Sequence, residues 1–302
     1  MAHTHDHSHH GHPHEINSLN RAFIIGIVLN IAFVVAEFSA GFWYNSLGLI
    51  SDAGHNLSDV VSLILAMFAF RLAKVQPNNK YTYGYKKSTV LISLLNAVIL
   101  LVAVGFIFSE SIEKLFRPRP VDGDAVAWVA GIGVIINGVT AWLFMKDKEK
   151  DLNVKGAYLH MAADALVSVG VVVSGIVIQH TGWYVIDPLI GIVIAVIIVY
   201  STWGLLRDSL RLSLDGVPRG TDYNQVGQII DATQGVESFH HMHIWALSTT
   251  ETALTAHVVL EDMEQMETIK CDLKCRLQEA GITHATLEFE TSGGVCDAGC
   301  CK

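Results

Sequence analysis

The chain has 302 residues, of which 51% are hydrophobic and only 16% charged, and its formal net charge is −9. Soluble domains carry about 25% charged residues, so a wholly soluble globule is excluded, and no basic run suggests a nucleic-acid partner. The mean hydropathy of +0.40 points to a polytopic membrane protein with a soluble part.

The chain opens with "HTHDHSHHGHPH", which holds His3, His5, His7, His9, His10, His12 and His14. It lacks the basic start of a secretory signal, so this end is expected in the cytoplasm. Imidazoles on a tether of residues 1–18 can bind zinc weakly and raise its local concentration. Six apolar segments follow, near 20–43, 48–73, 88–113, 123–145, 156–179 and 186–206. Each approaches the roughly 20 residues needed to cross a bilayer. Together they predict a six-helix transmembrane bundle over 19–208.

The loops give the orientation. Arg71, Lys74, Lys80, Lys86 and Lys87 lie in one connection, and Lys146, Lys148, Lys150 and Lys155 in another, while the turns "WYNSLG" and "HTGWYVID" carry no Lys or Arg. Lys114, Arg117 and Arg119 oppose the trend. The balance places both termini in the cytoplasm. Short loops and a compact chain suit a bacterial inner membrane.

After 209 the texture changes. "DYNQVGQIIDATQ" reads as an amphipathic helix, and "VESFHHMHIWALS" and "TALTAHVVLED" read as strands joined by a turn at "STTE". "MEQMETIKCDLKCRLQEAG" reads as a helix ending at Gly281, and "THATLEFET" as a third strand. The order αββαβ predicts a small α+β cytoplasmic domain over 209–291, with its helices on one face of a sheet. A Cys-rich tail, 292–302, closes the chain. The five cysteines, Cys271, Cys275, Cys296, Cys300 and Cys301, all fall near the end. An odd number in a cytosolic region argues for free thiols or metal ligands rather than disulfides. Cys271 and Cys275, one helical turn apart, read as small packing residues.

Two segments carry chemistry. His55 and Asp59 are four apart in "SDAGHNLSD", and His160 and Asp164 are four apart in "LHMAADALVS". That spacing puts each pair on one helix face. A charged group at the bilayer centre costs about 2.5–3.5 kcal/mol even on the lenient insertion scale, so such pairs persist only with a role. If the two helices pack together, two imidazoles and two carboxylates form a tetrahedral N2O2 set suited to zinc. Two aspartates also neutralise a dication. Asp52 shares roughly the face of Asp59 and can guide ions or cap the helix. Glu37, Asn96, Glu110 and Asn137 read as interhelical hydrogen-bonding groups.

An intramembrane metalloenzyme would leave a water position open and keep a general base nearby. No H-E-x-x-H occurs, and a four-ligand set is closed, so an enzyme is not expected. A membrane metal sensor signalling through the cytoplasmic domain is the alternative reading.

The six segments, "SDAGHNLSD", "YTYGYKKS", "LHMAADALVS", "DPLIG" and "GVESFHHMHIW…TAHVVLED" together resemble the cation diffusion facilitators over about 20–291. The resemblance implies export of zinc, with cadmium or cobalt as further cargo, from the cytosol by proton-coupled antiport, in a homodimer whose cytoplasmic domain is ferredoxin-like. It implies transport ligands at His55, Asp59, His160 and Asp164. It also implies a regulatory zinc site at His240, His257 and Glu290, with Glu288 as the alternative if the register differs by two. His241 and His243 read as surface or structural histidines. The tail thiols Cys296, Cys300 and Cys301 can complete a further zinc site, in a C-x-x-x-C-C spacing that departs from the C-x-x-C of some animal vesicular members. The connection "KVQPNNKYTYG" has no His or Asp, so the additional loop site of some relatives is not expected. Zinc enters this reading as substrate and regulatory ligand, with no cofactor.

Overall fold

A computed structural model describes residues 13–43, 47–116, 123–183 and 185–292. Six long helices come first: α1 (Pro13–Trp43), α2 (Leu47–Ala73), α3 (Ser88–Phe116), α4 (Gly123–Met145), α5 (Leu152–Thr181) and α6 (Ile186–Ser213). Then come α7 (Tyr223–Asp231), β1 (Val236–Ala246), β2 (Thr252–Leu260), α8 (Met266–Glu279) and β3 (His284–Thr291). Among the described residues, Arg21–Ser39, Ser88–Phe116 and Gly191–Ser213 are long and apolar enough to cross a membrane, and Val60–Ala73 and Gly131–Met145 are shorter apolar runs. Helices α5 and α6 extend past the apolar segments read from sequence, to Leu152 at one end and Ser213 at the other.

The chain forms two compact units. The first contains the described residues up to Phe68, Val102–Glu149 and Val154–Val199. In it, small and polar residues let helices approach closely, as in bilayer proteins. Phe23 of α1 packs on Phe144 of α4 with ring centroids 4.8 Å apart. One turn on, Gly26 faces Thr140 so closely that a Cβ would lie 2.8 Å from its methyl group. The Asn30 amide donates to Gly26 O (2.9 Å) and Thr140 Oγ1 (3.5 Å) and reaches Met161 Sδ (3.7 Å), tying α1 to α4 and α5. Val104, Ala163, Ile194, Ala195 and Ile198 bring α3, α5 and α6 together.

The second unit contains Ala69–Leu101, Lys150–Asn153 and the residues from Tyr200 onward. Its sheet has the order β1-β2-β3, with β1 antiparallel and β3 parallel to β2. Asp222 caps α7 through the backbone N–H groups of Asn224 and Gln225. Val226 and Ile230 of α7 and Ile269, Leu273 and Leu277 of α8 meet Leu254, Val258 and Leu260 in one core. Both helices therefore cover one face. Each fully buried aliphatic side chain stabilises this unit by about 1.5–3 kcal/mol. The spacing of Ile269, Leu273 and Leu277 turns Cys271 and Cys275 outward, so both thiols are exposed rather than packed. The αββαβ order is one strand short of βαββαβ, and β2 pairs directly with β3.

Candidate metal sites

The first site lies on α5. His160 and Asp164 are separated by one helical turn, and His160 Nε2 lies 3.8 Å from Asp164 Oδ2. Their relative exposures are 4% and 9%. Burial of an imidazole and a carboxylate side by side is costly unless both serve a common partner. Ala163, between them in sequence, packs toward α3 and α6. His55 and Asp59 lie one turn apart on α2, but their side chains, like those of Asp52 and Glu110, lie outside the described residues. Beside His55, Asn56 donates to Glu37 Oε2 at 2.6 Å, linking α2 to α1 with both groups buried. Asn96 and Asn137 are also buried, but their amide oxygens have no hydrogen-bond partner among the described residues.

The second site lies on the sheet face opposite the helices. Strand pairing sets His240 directly across from His257 and His257 beside Glu288. His257 Nδ1 lies 2.5 Å from Glu290 Oε1, His257 Nε2 lies 3.6 Å from Glu288 Oε2, and His240 Nε2 lies 3.5 Å from Glu290 Oε2. The alternatives at Glu288 and Glu290 thus both join the cluster, since each sits on the outer face of β3.

His241 joins it as well, although its sequence position reads as surface. Phe239 and Met242 both pack into the core and are three residues apart. Regular alternation would send them to opposite faces. A bulge between His240 and His243 resolves the conflict. His241 takes the extra position with a φ of 48°, a left-handed conformation that histidine enters more readily than most residues. His240 and His241 then share the outer face, with ring centroids 4.8 Å apart, and His241 lies 5.3 Å from His257. The broken apolar spacing in "FHHM" was the available signal.

The ligand atoms of His240, His241 and His257 lie within 4.8 Å of one another, as do those of His257, Glu288 and Glu290. Imidazole nitrogens with carboxylate oxygens suit a borderline divalent ion such as zinc. Cys296, Cys300, Cys301 and the N-terminal histidines lie outside the described residues, His14 through its side chain alone.

Residues 23–212 match the cation efflux transmembrane domain, and 218–291 match the cation efflux protein cytoplasmic domain. The cadmium, cobalt and zinc/H(+)-K(+) antiporter of Bacillus subtilis (strain 168) is 34% identical over 286 residues, covering 93% of this chain and 92% of the relative. The metal cation efflux system protein CzcD of Cupriavidus metallidurans is 37% identical over 286 residues, covering 93% and 90%. The zinc transporter ZitB of Escherichia coli (strain K12) is 31% identical over 293 residues, covering 96% and 93%. With both domain types matched in order along nearly the whole length, the chain belongs to the cation efflux family.

Proposed function

We propose that the protein exports zinc from the cytosol in exchange for protons, with cadmium and cobalt as further cargo. The observation that carries this reading is the buried His160–Asp164 pair, one helical turn apart in a cation efflux chain. In this reading α1–α6 are six spans and His55 and Asp59 complete a four-ligand site. Residues 1–18 are a His-rich cytoplasmic tail, 19–208 the transmembrane domain, 209–291 a ferredoxin-like cytoplasmic domain lacking its leading strand, and 292–302 a Cys-rich tail. Both termini face the cytoplasm of a bacterial cell, and two copies pair as a homodimer in its inner membrane.

The chemistry follows from the donor set. Zinc requires neutral imidazole and ionised carboxylate, so loading displaces protons. Free imidazole titrates near pH ~6.5, within the range spanned by a cell-membrane proton gradient. The site loads where protons are scarce and empties where they compete. Rocking of the helices exchanges the two faces. His240, His241, His257, Glu288 and Glu290 fit a regulatory zinc, whose occupancy favours transport.

The test is zinc flux into sealed proteoliposomes under an imposed pH gradient, for wild type and Asp164→Ala. Gradient-driven flux that vanishes in the variant is expected. Flux that persists in the variant moves the site elsewhere. Zinc binding without flux in wild type replaces export by the membrane sensor reading, which the sheet-borne cluster alone would serve.

A further inference from the structure

The turn between β1 and β2 touches the start of two long helices. We propose that this hairpin tip couples the sheet-borne metal cluster to the helix that carries His160 and Asp164, with Thr249 and Asp151 as its positioning residues. The inference rests on the export reading and on zinc regulation through the cluster.

The tip is rigid. Leu247 N–H and Ser248 N–H donate to Glu251 O, and the Ser248 hydroxyl accepts from the backbone N–H groups of Thr250 and Glu251 at 3.1 and 3.0 Å. The metal cluster sits on the same two strands, at the His240–His257 pair, five residues along β2 from the Ala246–Thr252 pair at the tip. That separation is about 17 Å along β2; β1 carries the His241 bulge between the two pairs, whereas β2 is paired to β3 without a break from Ala253 to Leu260. The unbroken β2–β3 ladder carries a shift at the cluster to the tip.

At the tip, the Thr249 hydroxyl donates to Asp151 Oδ2. The other carboxylate oxygen of Asp151 accepts from Asn153 N–H at 2.7 Å, in the first turn of α5. One carboxylate thus joins the cytoplasmic sheet to α5, and it is buried at 5% exposure. Asn153, itself fully buried, donates through Nδ2 to Thr89 O at 3.0 Å. The Thr89 hydroxyl accepts from Thr249 N–H at 3.1 Å. Thr249 therefore engages α3 through its backbone and α5 through its side chain. From Asp151, α5 runs nine residues to His160, about 13 Å along the axis. Displacing the tip pulls on the first turn of the helix whose next turns bear the ligands.

The network differs from ordinary packing in what it predicts. A hydroxyl donating to a charged acceptor is worth about tenfold or more in an equilibrium. Maximal zinc flux in proteoliposomes should fall by about tenfold or more in Thr249→Val, with the zinc KM unchanged. His257→Ala should fall by a similar factor. The double variant should fall no further than the lower single one, because both changes cut one route. Thr249→Ser, which keeps the hydroxyl, should restore flux. Zinc titration of Thr249→Val in an Asp164→Ala background should match the Asp164→Ala parent within about twofold, showing an intact cluster and fold. If Thr249→Val does not fold, Asp151→Asn replaces it, with a smaller loss of flux expected because the acceptor stays but the charge goes. Wild-type flux in the Thr249 or Asp151 variant overturns the proposal, and so does a double variant whose losses multiply. The underlying reading fails on different evidence: absent wild-type flux for export, or unchanged flux in His257→Ala for zinc regulation.

Discussion

The α5 pair and the sheet cluster use the same side-chain chemistry on opposite kinds of scaffold. His160 and Asp164 stand on one helix and are almost wholly buried. The sheet cluster draws its groups from three strands and leaves them partly open to water. A helix fixes neighbouring ligands through covalent spacing alone. A sheet fixes them through register, so every hydrogen bond of the ladder contributes to ligand geometry. The buried pair suits an ion that must be held briefly and exclude others. The open cluster suits an ion that equilibrates with the cytosol.

Four experiments sharpen or break that contrast. The largest effect is expected from Asp164→Asn, which leaves the imidazole but removes the charge beside it. Zinc flux should fall by at least about 100-fold, while zinc titration of the cytosolic cluster stays unchanged. A parallel loss at the cluster would show that the two sites are not separate.

Next is His257→Ala. His257 contacts both glutamates, so its loss should weaken cytosolic zinc binding by about 100-fold, the upper end of what outer partners of metal ligands already cost. Titration in an Asp164→Asn background isolates this site. Glu290→Gln, which keeps the shape of the His257 partner but not its charge, should cost about tenfold. A neutral result would remove Glu290 from the ligand set.

Acid gives the third test. The cluster must shed imidazole protons to bind zinc, so protons and zinc compete. Binding should weaken progressively as pH falls, by up to about tenfold per pH unit for each proton displaced. The slope, read by titration at several pH values, counts the histidines engaged. A flat profile would eliminate imidazole ligation.

The smallest effect is also the most pointed. His241→Gly relieves a left-handed conformation that costs a non-glycine residue about 1 kcal/mol or more. The metal-free protein should melt slightly higher, while cytosolic zinc affinity falls a few-fold. Higher stability with unchanged affinity would leave His241 outside the site.

Much of this was legible in the sequence. The spans near 48–73 and 123–145 fall within a residue of α2 and α4, because apolar runs separated by polar turns leave little choice. The H-x-x-x-D spacing on α5 needs only helical geometry. The turn "STTE" sets Ala246 across from Thr252, a register that without interruption would bring His241 to His257; the bulge moves the partner to His240. The bulge at His241 was harder, since it shows only as two core residues at the wrong spacing. The Asp151–Thr249 contact was not legible: it joins residues 98 apart in the chain, and nothing local in either segment announces the other.

The bulge has a consequence for how such a site changes over generations. Because His241 is a surplus residue in its strand, removing its codon would take out this bulge, with Phe239 and Met242 still directed inward. One imidazole would be lost and the core kept. Insertions and deletions usually shift a strand's whole pattern, but here a single-codon change alters only the number of donors on offer. The number of imidazoles on this face can therefore be retuned in one genetic step, without renegotiating the fold that holds them.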